Sequence, residues 1–249
     1  MKRVAIITGA ATLNGIGFAT AKYLAKFSHV IIADINEKAA LHAANILVNE
    51  GHSAEGALLD VTNQEAVNSI VNKIIEEHEK IDILVNNAGI TRPTRILDIS
   101  TSEFDLLFKV NVNGTFYMTQ AVLPSMIQQR YGRIVNLGSV SAKRGGGVFG
   151  GSHYSATKGA VMSFAKAVAR EVAEHGITVN SVAPGMIGTG ITGNLLDDPN
   201  ILKEISEGIP AKRIGNVNDV ASAIAFLCSE DAGYITGEEI DINGGSHID

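Results

Sequence analysis

The stretch that decides the fold is Arg3–Phe27, RVAIITGAATLNGIGFATAKYLAKF. Arg3–Thr8 is a short apolar run closed by Gly9, the pattern of a strand buried on both faces. Gly9, Gly15 and Gly17 punctuate the turn that follows, and the residues after Gly17 have helical spacing. A strand, a glycine turn and a helix form the entry to a dinucleotide site. The glycines let backbone approach a pyrophosphate, and the helix N-terminus supplies unpaired N–H groups and positive dipole. The glycine spacing is not G-x-G-x-x-G, so this loop alone reads equally as an ordinary βα turn. The next apolar run, HVIIAD, ends on Asp34, 17 residues after Gly17. A carboxylate there hydrogen-bonds ribose hydroxyls and repels a 2′-phosphate, which favours NAD over NADP. Asp34 can also cap the helix that follows, as can Asn36.

The same alternation continues to the end of the chain. SAEGALLDV ends at Asp60 and Val61, and Val67, Ile70, Val71, Ile74 and Ile75 then recur at helical intervals. The charged run Glu76–Lys80 reads as a solvated helix end with no chemistry. DILVNNAG ends in Asn86, Asn87 and Gly89, where open sheets of this kind bind ligands. Ser102–Arg130 reads as one long amphipathic helix containing Asn111 and Asn113, with Pro124 kinking it near its end. GRIVNLGS delivers Ser139, and ITVNSVAPG and GEEIDINGG are the last strands. The expected fold is α/β: a single Rossmann-type domain over residues 1–249, a doubly wound parallel sheet of about seven strands with helices on both faces. Residues 186–209 read as a mobile substrate loop. A TIM barrel would need an eighth unit and gives no reason for a dinucleotide turn at its first strand.

The totals narrow the function. Of 249 residues 45% are apolar, enough for a large core. A net charge of −6 excludes nonspecific nucleic-acid binding, which needs a basic face. The single cysteine, Cys228, allows no intrachain disulfide and fits a reducing compartment. No run has the length of a membrane span, and the N-terminus runs directly into a strand. A cytoplasmic protein with a small-molecule substrate, and with neither nucleic acid nor membrane as partner, is expected.

The chemistry is expected in Gly138–Lys158, GSVSAKRGGGVFGGSHYSATK. Tyr154 and Lys158 are four apart on a helix and share a face. An ammonium beside a phenol favours the phenolate and lowers its pKa from the usual value of about 10. A tyrosine so tuned passes a proton to and from an alkoxide. Ser139 or Ser141 would hold a carbonyl oxygen beside that phenol. By itself the Tyr–Lys spacing is weak evidence that often arises by chance, and a solvated helix face is the plainer reading.

Taken together, TGAATLNGIG, Asp60 in LLDV, NNAG, Asn111 in KVNVNG, Ser139 in IVNLGSVS, YSATK and PGMIGT resemble the short-chain dehydrogenase/reductase family over nearly the whole chain. NNAGITR and ITGEEIDINGG look most like its 3-oxoacyl-[acyl-carrier-protein] reductase branch. The resemblance implies an NAD(P)-dependent enzyme acting on CH–OH groups. Tyr154 would be the general acid/base, and Lys158 would tune it and hold the nicotinamide ribose. Ser139 would orient the substrate carbonyl, and Asn111 would keep a water that links Lys158 to solvent. Gly9, Asn14, Gly15, Ile16 and Gly17 would surround the phosphates. Asp34 would take the adenosine ribose, Asp60 and Val61 the adenine. Asn87, Ala88 and Gly89 would line the adenine-ribose side, and Pro184, Gly185, Ile187 and Thr189 would hold the carboxamide. A homotetramer is also implied, with Ala160, Val161, Phe164, Ala165 and Val168 either at a subunit interface or packed on the sheet.

Three departures from the family pattern bear on this. Two extra residues lie between Gly9 and Gly15, so a bulge is expected near Leu13–Asn14. The loop from Ser139 to Tyr154 is about two residues longer, which makes Ser141 a rival to Ser139. Asp34 argues against the NADPH of carrier-protein reductases; Arg130 is suitably placed near the site entrance for an acidic carrier, but the second basic position holds His175. The substrate pocket should be built from Thr91–Arg95, Ser141–His153 and Met186–Leu196. Arg92, Arg144 and His153 suit a sugar, polyol or hydroxy acid; Met186, Ile187, Ile191, Leu195 and Leu196 could close over it. The expected reaction is the NAD-linked interconversion of such a secondary alcohol and its ketone. Reduction of a 3-oxoacyl thioester is the alternative. A noncatalytic cofactor-binding protein and a sugar-nucleotide epimerase are the other readings; the first conflicts with the intact Ser139, Tyr154, Lys158 and Asn111, the second with the short C-terminal region.

Overall fold

The computed structural model describes residues 2–146, 150–189 and 198–248. β1 (Arg3–Thr8) sends Ala5 and Ile7 to one face of the sheet and Val4 and Ile6 to the other. Both faces are covered, which is why the run is almost uninterruptedly apolar. The same holds for β2 (Ser28–Asp34), β4 (Ile83–Asn86), β5 (Gly132–Leu137) and β6 (Ile177–Pro184). With β3 (Ala54–Leu58) and β9 (Glu239–Ile242) they form one seven-stranded sheet in the order β3-β2-β1-β4-β5-β6-β9. Every pairing is parallel.

One face is packed by α1 (Ile16–Leu24), α2 (Glu37–Asn49) and α9 (Val217–Leu227), through Phe18, Leu24, Leu47, Val220 and Ile224. The other is packed by α3 (Gln64–His78), α5 (Gly114–Gln129) and α7 (Ser152–Val172), through Val71, Ile74, Met118, Met126 and Val168. This is the doubly wound, Rossmann-type architecture. Its chain order reverses direction between β1 and β4, which opens a crevice at the carboxyl ends of those strands. On α7, Ala165 and Val168 are spent on this packing and Val161 is buried, while Ala160 and Phe164 are only partly covered.

Asparagine caps start several helices. Asn36 accepts from Ala39 N–H, Asn63 from Glu65 and Ala66, and Asn216 forms a capping box with Asp219. The cap of α2 is therefore Asn36, not Asp34.

Two expectations change. The span expected as one helix is α4 (Thr101–Phe108), a five-residue π segment (Lys109–Asn113) and α5. Pro124 lies inside α5 without ending it. The break falls instead at the π segment, whose wider turn carries Asn111 into the interior and leaves Asn113 exposed. Residues 186–209 are partly described: β7 (Ile187–Gly188) pairs in parallel with β8 (Gly215–Asn216), and Pro199–Glu207 forms α8. Ile191, Leu195 and Leu196 lie outside the described residues. Among the described residues no helix is long and apolar enough to cross a membrane. Cys228 is buried, with its thiol pushed up to about 12 by burial, so it offers no nucleophile.

Candidate active site

The crevice at the carboxyl ends of β1, β4, β5 and β6 has a volume of about 820 Å³. The turn before α1 closes one side. Gly9 has φ +62°, and a side-chain carbon there would lie 2.7 Å from Ala88 Cα. At Gly17 it would lie 2.6 Å from Asn87 Nδ2. Both positions admit only glycine because two chain segments touch. The two extra residues form a turn in which Gly15 N–H donates to Thr12 O at 2.9 Å. They project outward, so Asn14 is exposed and lies off the crevice lining, while Thr12 joins it.

Gly9, Gly15, Ile16, Gly17, Asp34, Asp60, Val61, Asn87, Ala88, Gly89, Pro184, Gly185, Ile187 and Thr189 all line the crevice. Unlike α2, α3 and α9, α1 begins with a glycine cap that makes no side-chain hydrogen bond. Its first-turn N–H groups face the crevice, as a pyrophosphate requires. Asp34 is held by the N–H groups of Ala11 (3.1 Å) and Asn36 (3.0 Å). It thus ties the turn to the end of β2 while presenting its carboxylate to the crevice. Asn87 Nδ2 donates to Thr8 O (2.9 Å) and Gly9 O (2.8 Å), and Thr8 Oγ1 accepts from Asn87 and Ala88 N–H. Asn86, on the opposite side of the strand, bonds Asn136 and Thr119 inside the protein and is absent from the lining.

The reacting end is built on β5 and α7. Ser139 follows the end of β5 by two residues, caps the short helix α6 (Val140–Arg144), and accepts Ser141 N–H at 3.1 Å. Its hydroxyl also faces the half-buried Tyr154 phenol closely enough to draw the phenol's pKa down. Ser139 and Ser141 both line the crevice, and of the two it is Ser139 that acts on the phenol's pKa. Lys158, buried one turn along α7, donates from Nζ to Leu137 O at 2.6 Å. Its ammonium is 5.8 Å from the Tyr154 ring centroid.

The expected direction of the tyrosine shift does not hold. Burial pushes the Tyr154 phenol up, and the Ser139 hydrogen bond only partly offsets this. Burial also pulls Lys158 down to about 8. Desolvation disfavours the charged form of each group, and it is the leading cause of both shifts.

Asn111 lies behind the crevice wall. Its Oδ1 accepts Ile90 N–H at 2.8 Å, and its Nδ2 donates to Ile90 O (2.9 Å) and Thr157 Oγ1 (3.0 Å). It therefore braces the strand end beside Gly89 against α7. Thr8, Thr12 and Thr157 were not singled out from sequence. Thr157 lies inside the quoted YSATK, but its partner Asn111 is 46 residues away.

The substrate side is narrower than expected. Thr91, Ser141, Arg144 and Met186 line the crevice; Arg92 and His153 do not. Arg92 folds back to Thr91 O, and His153 is buried with Nε2 at 2.9 Å from Glu103. Glu103, bonded by Thr94 and then His153, is held below its ordinary pKa, which fits an internal pair. Arg130 and His175 sit just before β5 and β6, at the amino ends of the strands. Within one chain this is the end opposite the crevice, which corrects the placement expected for Arg130.

The comparisons agree with this architecture. Residues 9–247 match a family model described as Enoyl-(Acyl carrier protein) reductase. The chain is 42% identical to an uncharacterised short-chain type dehydrogenase/reductase of Sinorhizobium fredii, over 99% of this chain and 98% of that one. It is 39% identical to the 3-oxoacyl-[acyl-carrier-protein] reductase FabG of Escherichia coli, with the same coverage. A gluconate 5-dehydrogenase from Burkholderia cenocepacia, solved with NADP and tartrate, superposes with a TM-score of 0.92 at 33% identity, over 98% of this chain and 94% of that one. With the crevice, the uncapped α1 and the Ser139–Tyr154 pair in place, the chain belongs to the short-chain dehydrogenase/reductase family of oxidoreductases, which bind a nicotinamide cofactor.

Proposed function

We propose that the protein interconverts a small polar secondary alcohol and its ketone, with NAD(H) as cofactor. The observation that carries this is the convergence of Ser139, Tyr154 and Lys158 on one wall of a crevice whose other wall is a glycine-lined, uncapped helix start. The cofactor, when bound, supplies hydride exchange at the carbinol carbon. Gly9, Gly15, Ile16 and Gly17 would receive its phosphates. Asp34 would take the adenosine ribose, Asp60 and Val61 the adenine, and Pro184, Gly185, Ile187 and Thr189 the carboxamide end.

The protein's own part is proton management and orientation. Ser139 holds the substrate oxygen beside the Tyr154 phenol. In reduction Tyr154 donates its proton to that oxygen; in oxidation it removes one. Its raised pKa keeps the proton on the phenol at neutral pH, the form that reduction needs. Lys158 keeps a positive charge below about pH 8, which favours the phenolate left behind. Asn111 fixes the Ile90 backbone and Thr157, and so the spacing between the crevice floor and α7.

Arg144 lines the crevice among the residues expected to form the substrate pocket, and its charge favours an anionic substrate such as a sugar acid or hydroxy acid. The preference for NAD(H) rests on Asp34, whose carboxylate would repel a 2′-phosphate. A second reading, reduction of a 3-oxoacyl thioester, is favoured by the FabG relatives. Cytoplasmic residence and a homotetramer belong to the same proposal. The first is supported by the lone, buried Cys228, the second by Phe104, Leu106 and Phe116 exposed on α4 and α5.

The deciding experiment follows reduced-nicotinamide absorbance in two assays, each with both cofactors. One offers a panel of sugar acids, polyols and hydroxy acids in the oxidative direction; the other offers an acetoacetyl thioester for reduction. NAD-linked oxidation in the panel with little thioester turnover is the expected result. Efficient NADPH-linked thioester reduction would overturn both the substrate class and the role of Asp34.

A further inference from the structure

At the amino ends of the strands, away from the crevice, lies a second cluster of chemistry-bearing side chains. His29 is the second residue of β2, Glu55 the second of β3, and His78 the last of α3. Ile31 is directly opposite Glu55 and packs on the α3 side of the sheet, so His29, two residues before it, faces the same way. The end of α3 then brings His78 over both. We propose that His29, Glu55 and His78 form a binding site for a divalent transition-metal ion of the Zn²⁺ class.

The geometry fits such an ion. The three ligand atoms lie within 4.8 Å of one another. His78 Nε2 is 3.3 Å, and His29 Nε2 3.7 Å, from Glu55 Oε1. Zinc bonds of about 2.0–2.1 Å place neighbouring tetrahedral ligands roughly 3.3 Å apart. Small side-chain rotations therefore close the set. Two imidazoles and a carboxylate suit zinc, with solvent completing the shell. The side chains of His29, His78 and Glu55 are 16%, 24% and 39% exposed, which leaves an entry path and room for water.

The second argument concerns His29. Its Nδ1 is 2.7 Å from Ser53 Oγ, while its buried Nε2 has no hydrogen-bond partner. The nearest acceptor, Glu55 Oε1 at 3.7 Å, is beyond hydrogen-bond distance, so a proton on Nε2 would be a buried donor without a hydrogen bond, which costs free energy. With Nδ1–H donated to Ser53, the Nε2 lone pair faces the cluster, as in metal-bound histidines oriented by an outer partner. The ion would tie β2, β3 and the end of α3 together and stabilise the folded state by mass action.

The test uses tag-free, chelator-stripped, full-length protein. Equilibrium dialysis against Zn²⁺, with metal analysis, is expected to find one ion per chain and a raised unfolding temperature. His29→Gln and His78→Gln should each weaken binding by more than about 100-fold, and Ser53→Ala by about 10–100-fold, the range for an outer partner. His175→Asn should change nothing. Paramagnetic Co²⁺ in the unmutated protein should shift the signals of two imidazoles, a readout that needs no variant to fold. Less than one ion per chain, Co²⁺ signals from fewer than two imidazoles, or unchanged affinity in a folded His29→Gln variant would overturn the proposal.

Discussion

Tyr154 and Lys158 show that desolvation, rather than sequence spacing, decides charge at this site. Four residues apart, they were expected to lower the phenol's pKa. Instead burial raises Tyr154 and brings Lys158 down to about 8 from an ordinary value of 10.5. Because the folded pKa of Lys158 is the lower, the buried ammonium destabilises the fold at neutral pH. That cost is relieved as pH rises from about 8 toward 10, where the unfolded chain still binds the proton and the folded one does not. Lys158→Met is therefore expected to unfold at a higher temperature than the parent at pH 7, with the difference shrinking between pH 8 and 10. A lower melting temperature throughout would show that the bond to Leu137 O outweighs the desolvation. Tyr154→Phe keeps the ring and loses the proton. Turnover should fall by about 10²–10⁴-fold while NADH binding, measured by fluorescence, stays within a factor of a few.

Among elements, the β1 turn and the π segment carry the site. A side-chain carbon at Gly17 would meet Asn87 Nδ2 at 2.6 Å and Ala10 Cα at 2.8 Å. Gly17→Val should thus force α1 away from the end of β4, where Asn87 clamps Thr8 and Gly9. Dinucleotide affinity is expected to drop at least tenfold, with a loss of about 1–3 kcal/mol in stability from overpacking. Calorimetry of the cofactor titration and urea unfolding check the two parts. The strand–turn–helix pattern was readable because it is local: apolar run, glycine, helical spacing. The π segment was not. It depends on Asn111 reaching Ile90 and Thr157, 21 and 46 residues away, and no local propensity specifies those partners.

In the whole molecule, the two faces of the sheet are fully used, and the remaining apolar surface is outward. Phe104 stacks on Phe108 at 4.6 Å, and Phe116 meets Phe164 edge-on at 6.2 Å, yet Phe104, Leu106 and Phe116 remain exposed. Sedimentation at micromolar concentration is expected to show a tetramer. Phe116→Glu should shift it toward smaller species, since a charge cannot be buried unpaired in an apolar interface. A parent protein that sediments only as monomer would reject the assembly.

The sequence by itself determined the layered α/β fold and most of the crevice lining, because both follow from short-range patterns. Apolar runs specify buried strands, and residues just after a parallel strand reach the same end of the sheet. Hence Asp34, Asp60, Asn87, Ser139 and Pro184, expected at or just after strand ends, all line the crevice. Tertiary structure alone decided what depends on direction and distance. It turned His153 to Glu103 and left Asn14 in solvent. It also gathered His29, Glu55 and His78 from a strand start, a neighbouring strand and a helix end that had read as plain solvated charge. Such meetings are set by sheet order and helix packing, and no spacing along the chain encodes them.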